Sequence, residues 1–443
     1  MSRGRLGIAA GPALDRSARR ELRRRLVFEW GKWDPQNADG AAVAPFAIEL
    51  DTAEWKVLVE ASEALAAELV AAERALLAAP RAWPTLALPR GFTAALRRAS
   101  RDGSLRCAGP RVLRFDFHPT TDGWRLSEVN ADVPGGFIEA AALAHLVKEL
   151  GGGEGDHPGD PGEALADALA AALGGAGDVA MMHATAFTDD GQVMVHLARR
   201  LVPRGLRAHL VAPDHVCACA PAASAPAASV RQGLVMRTGW REGQIDAIVR
   251  FFPAEWLPGL PRSADWSTLL RAEAPQCNPP TALLAQSKRL VLATRAIGLS
   301  LPWWERFLPE TRDPRDVPRS ERRRAESWIL KPALGRVGEG IAIAGAVDER
   351  VRRRIALNAM LWPRHWIAQR RFDSVALTTG DGPRHLCLGV YVVAGRAAGV
   401  YGRLAPRPLI DARAQDVAVL IRRSPTEAAN SRREPLHGCA IAL

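Results

Sequence analysis

VLRFDFHPTTDGWRLSEVNAD, residues 112–132, is the part of the chain from which the architecture is most legible. Residues 112–118 and 124–130 each alternate at the period of a strand, and Thr120-Thr121-Asp122-Gly123 between them is rich in turn formers, so the segment predicts a β-hairpin. Arg114, Asp116 and His118 then share one face of the first strand, and Glu128 and Asn130 share one face of the second. A three-residue connection puts Asp116 opposite Glu128 and Arg114 opposite Asn130; a two-residue Asp-Gly connection puts Asp116 opposite Val129. Two facing carboxylates repel unless a cation lies between them. Oxygen donors from Asp116, Glu128 and Asn130 suit magnesium, which normally shares its sphere with phosphate and water. A solvated hairpin with its charges in water is the other reading.

Outward from the hairpin, residues 52–77 carry apolar side chains at three- and four-residue spacing (Leu58, Ala61, Leu65, Leu69), the pattern of an amphipathic helix. GGGEGDHPGDPGE, residues 151–163, reads as a linker. Beyond it strands and helices alternate: helix at 165–173, strand at 178–184, helix at 193–201, strand at 207–213 and strand at 246–251. This grammar predicts a parallel sheet. CACAPAASAPAAS, residues 217–229, reads as a surface loop. The last third predicts a helix through Lys288, a strand at 327–333 running into a Gly-rich turn, and strands near 366–369, 386–393 and 399–401.

With 443 residues, the chain is long enough for roughly three structural units. Its 48% hydrophobic and 24% charged composition excludes disordered, collagenous and coiled-coil classes. The formal charge of +11 invites nucleic acid as a partner, but the Arg runs at 23–25, 322–324 and 352–354 are dispersed, so nucleic-acid binding is not expected. Six scattered cysteines do not make a disulfide framework, and no apolar run reaches the length of a membrane span; a cytoplasmic protein without a membrane partner is expected. His215, Cys217 and Cys219 form HxCxC without a second pair, which favours a loop over zinc. Trp303, Trp304, Trp362 and Trp366 read as core or lid packing.

A second cluster is WILKPALGRVGEG, residues 328–340, where a strand delivers Lys331 into a loop with Gly335, Gly338 and Gly340. Glycines let backbone amides approach phosphate oxygens, and lysine supplies a compact charge. The lysine precedes the glycines, so this is not a Walker A loop. The chain has only five lysines, so Lys288 and Lys331 mark positions where arginine's planar fork would not serve.

RFDFH followed by SEVNAD, with GKWDPQNAD (Trp33, Asp34), CNPPTALLAQSKRL, WILKPALGRVGEG and GVYGRLAPRPLI in this order, resembles the glutathionylspermidine synthase-like family of circularly permuted ATP-grasp ligases. The resemblance spans residues 28–412. It implies an α/β fold, mixed with α+β character: a circularly permuted ATP-grasp fold with a Rossmann-like pre-ATP-grasp domain. The expected parts are an N-terminal ATP-grasp portion at 1–155, the Rossmann-like substrate domain at 156–283 and a C-terminal ATP-grasp portion at 284–443. It also implies ATP and magnesium as cofactors, and activation of a small-molecule or peptide carboxylate as an acyl phosphate before joining it to an amine. By this analogy Asp116, Glu128 and Asn130 hold the metal, while Lys288, Lys331, Gly335, Gly338 and Gln369 bind the nucleotide. Arg114, Arg336 and Arg403 then neutralise charge on the transferred phosphoryl group and the tetrahedral intermediate.

The motif departs from glutathionylspermidine synthases after Asn130. Val133 and Gly135 stand where Thr or Ser side chains would help hold the peptide, so the substrate pair stays open. No counterpart of the Cys-dependent amidase domain of bifunctional members is expected. A catalytically inactive binding or scaffold protein and a kinase that stops at phosphorylation are the competing readings.

Overall fold

The computed structural model describes residues 6–33, 36–37, 40–218, 233–238, 241–322, 327–335, 338 and 340–423. Its main sheet is drawn from both ends of the chain. The strands are β1 (Ile8–Ala10), β2 (Val43–Asp51), β3 (Val112–Thr120), β4 (Gly123–Asn130), β5 (Ala376–Thr379), β6 (Gly382–Val393), β7 (Arg396–Ala405) and β8 (Gln415–Arg422). Their spatial order is β1-β2-β8-β7-β6-β3-β4, with β5 paired to the start of β6. Only β8 with β2 is parallel among these pairs. Sequence reading did not anticipate β2 or β8: a buried strand gives an apolar run without alternation, and its partner lies on the far side of the chain.

The helix Thr52–Leu77 has the bounds its periodicity predicts. Leu58, Ala61, Leu65, Ala66, Leu69, Ala72 and Leu76 form its buried stripe. They share a core with Phe115 and Phe117 of β3 and with Leu388 and Val390 of β6. Each buried leucine contributes about 1.5–3 kcal/mol by transfer from water. On the opposite face of the sheet lie the helices Arg16–Phe28 and Phe137–Glu149, with Ile138, Leu143 and Val147 packed against Ala418 and Leu420 of β8.

The middle of the chain forms a second, all-parallel sheet in the order Gln276–Cys277, Ala247–Arg250, Gly177–Met182, Leu206–Val211. The helix Thr188–Leu201 supplies the crossover between Gly177–Met182 and Leu206–Val211, and the helix Pro161–Leu173 leads into the first of these strands. A third, antiparallel sheet orders Thr311–Arg312, Trp366–Arg370 and Trp328–Pro332, and the helix Glu349–Leu361 packs on it. The mixed α/β class expected from the sequence is the observed one.

Two local expectations are corrected. The stretch at 151–163 is not a free linker: Asp156 and Ile421 exchange backbone hydrogen bonds of 2.8 and 2.9 Å, and Asp160 caps the helix that begins at Pro161. Nor does a helix run through Lys288. The helix Leu283–Gln286 ends before it and Leu290–Ala296 starts after it, and the Lys288 amide donates to the Ala333 carbonyl at 2.9 Å. Of the dispersed arginines, Arg25 meets Glu29 and Glu149, and Arg352 and Arg353 meet Glu349, whereas Arg323 and Arg324 lie outside the described residues. Trp304 is core, whereas Trp362 is exposed. Among the described residues no helix is long and apolar enough to cross a membrane.

The parallel sheet is fastened to the hairpin through fully buried polar groups. Arg250 donates to the Asp132 carboxylate at 2.5 Å, with both side chains at 0% exposure. Asn278 accepts from the Val112 amide at 2.9 Å and donates to the carbonyls of Val112 and Ala131 at 2.7 and 2.8 Å. Removing Asp132 leaves a buried guanidinium without its counter-ion. Asp132→Ala is therefore expected to lower unfolding free energy by about 3–5 kcal/mol in urea titration; a loss below about 1 kcal/mol would show that the pair is not a fastening point.

Candidate functional site

The hairpin turns through Thr121 and Asp122, with Thr120 facing Gly123, and the pairs Pro119–Trp124, His118–Arg125 and Phe117–Leu126 follow. Ser127 is then an extra residue, and beyond it Asp116 faces Glu128, Phe115 faces Val129 and Arg114 faces Asn130. The facing expected from a three-residue connection is present, but it arises from a two-residue turn plus a β-bulge. The Asp-Gly alternative fails because Gly123 belongs to the strand, at a φ of 102°.

Asp116 sits at the centre of a buried charge cluster. Arg114 donates to it through Nε at 2.8 Å and Nη2 at 3.1 Å, Arg403 through Nη2 at 2.8 Å and Asn130 through Nδ2 at 3.3 Å. Burial by itself would raise the Asp116 carboxyl, but Arg114 and Arg403 outweigh it and hold the group below its ordinary value. The third nitrogen of Arg114 reaches the Gly135 carbonyl at 2.6 Å. Both guanidiniums lie over the Tyr401 ring, 5.3 and 5.4 Å from its centroid. Gly136 is required here: its φ is 93°, and a Cβ would lie 2.7 Å from the Tyr401 ring.

Glu128 receives Lys288 Nζ at 3.2 Å. Burial opposes its charge and Lys288 favours it, and the balance leaves the carboxyl below its ordinary value. Lys288 Nζ also donates to the Gly335 carbonyl at 2.9 Å, so in this state the loop glycine offers its oxygen. Lys331 Nζ donates to Gln369 Oε1 at 2.7 Å and to the Ser127 carbonyl at 3.0 Å. Burial lowers its ammonium to about 8, against the pull of Glu128. Gln369 in turn donates to Thr311 Oγ1 at 3.3 Å.

A cleft opens between the main sheet and the third sheet, lined by Asp116, Glu128, Lys331, Arg403, Phe372 and Gly338 among others. Gly338 has a φ of 71°, and a Cβ there would stand 2.7 Å from the Ile410 carbonyl, so this glycine lets the loop cross the segment leading to β8. Arg336 and Asp34 lie outside the described residues, as does Cys219. Of the remaining sequence-predicted side chains, Arg114, Asn130 and Arg403 bond directly to Asp116, Lys288 pairs with Glu128 across the ladder from it, and Lys331 and Gln369 bond each other and join the group through the Ser127 carbonyl.

Four cationic groups thus surround two carboxylates. The excess of positive charge suits a polyanion. Asp116, Glu128 and Asn130 offer oxygen donors side by side, a set that fits magnesium; Asn130 keeps its Oδ1 for this, because its amide nitrogen is turned toward Asp116. Among the described residues no three His, Cys, Asp or Glu side chains gather into a metal group, so an ion here would draw further ligands from phosphate or water.

Sequence reading missed part of this neighbourhood. Lys32 pairs with Glu139 at 2.5 Å and Asp416 at 3.3 Å, and Tyr401 donates to Asp416 at 2.6 Å. Asp416 stands opposite Arg403 across the β7–β8 ladder, and burial pushes its carboxyl up to about 6 despite Lys32. The rarity of lysine was the available signal. Cys387 also lines the cleft, but burial pushes its thiol up to about 12, which leaves it unreactive. His215 takes no part in the cleft; its ring accepts from the Ala212 amide at 3.3 Å.

The family model for the glutathionylspermidine synthase pre-ATP-grasp region matches residues 15–422. No curated protein matches by sequence. Among solved structures, a glutathione synthetase-like effector from Globodera pallida in apo form is similar in fold, with a TM-score of 0.58 and 10% identity over 86% of this chain and 90% of that one.

The lysine chemistry can be read directly because the chain has only five lysines. One side-chain nitrogen resonance is expected to titrate near pH 8 and to be missing from Lys331→Met. Since burial depresses this group from 10.5, the unfolded chain binds the extra proton between pH 8 and 10.5, and its contribution to stability rises with pH across that window. Absence of any lysine titration near pH 8 would refute the buried placement.

Proposed function

This chain belongs to the glutathionylspermidine synthase pre-ATP-grasp family, and from that membership and the charge balance of the cleft we propose that it is an ATP-dependent carboxylate-amine ligase. The observation that carries the reading is the convergence of Lys288, Lys331, Arg114 and Arg403 on the facing carboxylates Asp116 and Glu128. Such a surplus is costly in a buried site unless a polyanion completes it. Lys288 and Lys331 bind the nucleotide phosphates, aided by the loop at Gly335 and Gly338. Gln369 lies at the adenine, where Trp304, Leu308 and Ile367 form the apolar part of a pocket that Glu128 and Lys288 also line.

Asp116, Glu128 and Asn130 would hold magnesium, which when bound draws charge from the phosphates. Arg114 and Arg403, together with Arg336, offset the negative charge that grows on the transferred phosphoryl group and then on the tetrahedral intermediate. The positions of Arg114 and Arg403 are set in advance by Asp116, so little reorganisation accompanies the reaction. The acid is a small-molecule or peptide carboxylate and the partner an amine, with the parts at 1–155, 156–283 and 284–443 dividing the work as the sequence suggests. A cytoplasmic setting belongs to the same proposal; the four described cysteines are all free thiols.

Titration calorimetry with ATP and magnesium tests the nucleotide site. Lys331→Ala removes a charged donor and is expected to weaken binding by roughly 10- to 100-fold, from about 1.5–3 kcal/mol per charged hydrogen bond. Glu128→Gln is the cleaner metal-site variant, since Asp116 also neutralises two buried arginines; it is expected to abolish metal-dependent ADP release while the protein stays folded. ADP release that needs both an acid and an amine, with amide formed, supports the ligase. Release needing no amine makes it a kinase, and a folded wild type that binds no nucleotide supports the scaffold reading.

A further inference from the structure

The two carboxylates face each other only because of Ser127. Continued without interruption from the Thr120–Gly123 pair, the ladder would set Asp116 opposite Ser127 and Phe115 opposite Glu128. Residues directly opposite in an antiparallel pair share a face, and a one-residue slip moves every later side chain to the other face. Glu128 and Asn130 would then point with Phe115 into the apolar core that Val129 now occupies. The extra residue at Ser127 reverses this and delivers both polar groups to the cleft.

The bulge is held by specific bonds. Ser127 Oγ donates to the Asp116 carbonyl at 3.1 Å, closing the extra residue onto the opposite strand. His118 Nε2 lies 3.1 Å from the same hydroxyl. A serine hydroxyl has one proton, and that proton is spent on Asp116, so His118 must be the donor through Nε2–H. Phe372 packs beside the imidazole at 5.4 Å between ring centroids, and the Ser127 carbonyl accepts Lys331 Nζ at 3.0 Å. The same residue therefore sets where Glu128 points and anchors a cation of the cleft.

We propose that Ser127 and His118 are positioning residues for the metal site, acting through the bulge rather than by contact with substrate. The proposal rests on the ligase reading for its functional consequence but on hairpin geometry for its structural one. Above about pH 4, to which burial lowers His118, the ring is neutral and still donates through Nε2.

The test pairs Ser127→Ala with the conservative Ser127→Thr and with His118→Phe. In calorimetry at fixed ATP, the magnesium concentration needed for half-maximal binding is expected to rise about 5- to 20-fold in Ser127→Ala, the effect of one or two neutral hydrogen bonds. It should rise less in His118→Phe and return close to wild type in Ser127→Thr. Affinity for ATP without magnesium, and the melting temperature, should change little. Equal losses with and without magnesium would mark a merely structural role and overturn the proposal. Crystal structures of wild type and Ser127→Ala give the second readout: the Glu128 carboxylate is expected to move by on the order of 1 Å or more relative to Asp116. An unmoved Glu128 overturns the positioning role whatever the nucleotide data show, whereas a displaced Glu128 in a protein whose wild type binds no nucleotide overturns the ligase reading alone.

Discussion

Two carboxylates facing each other in a buried β-ladder are unstable alone, and much of this molecule is arranged to neutralise them. Asp116 and Glu128 come from one hairpin, which supplies Arg114 as well, but their other counter-charges come from elsewhere. Arg403 arrives on β7, Lys331 on the central segment of the third sheet's outer strand and Lys288 from the break between two short helices. At the low effective dielectric of a buried site each of these attractions is worth several times its value in water, and each unpaired charge is correspondingly costly. The convergence of segments from positions 114 to 403 follows from that constraint.

Holding the cluster also requires that the surrounding layers not slide. The helix Thr52–Leu77 covers the apolar face of the sheet, and the helix Phe137–Glu149 covers the other beside the charged strip. Asn278 bonds the parallel sheet to the backbone at the open end of the hairpin, at Val112 and Ala131, and Arg250 bonds it to the Asp132 carboxylate. These are buried groups whose hydrogen bonds are met only in one relative placement of the two sheets, so they confer specificity of docking more than raw stability. Asp132 lies two residues beyond Asn130, which ties that fastening to the end of the strand that carries Glu128 and Asn130.

The surplus of basic residues has a different meaning at the surface and inside. Arg24, Arg25, Arg204, Arg352 and Arg353 are consumed in pairs with neighbouring carboxylates, mostly within a helix or between adjacent helices. Such pairs are worth little individually. The cations that face the cleft are few, buried and borrowed from distant segments.

Local patterning determined a good deal. The 3.6-residue period of 52–77, the alternation of 112–130 and the strand-helix rhythm after residue 164 each depend on side chains within one element, and each reappears in the structure. The residue types of the candidate site were likewise legible: Asp116, Glu128, Lys288 and Lys331 stand out by spacing or by rarity, and Asp116, Glu128 and Lys331 line one cleft while Lys288 pairs with Glu128. What local pattern could not supply was register and partnership. The Ser127 bulge depends on a hydroxyl bond to the opposite strand and an imidazole behind it, and the Lys288 break depends on the Ala333 carbonyl. The parallel pairing of β8 with β2 joins residues more than 360 positions apart. Side-chain periodicity is set by the backbone of one segment, whereas register is set by hydrogen bonds and packing against segments that only the folded chain brings near.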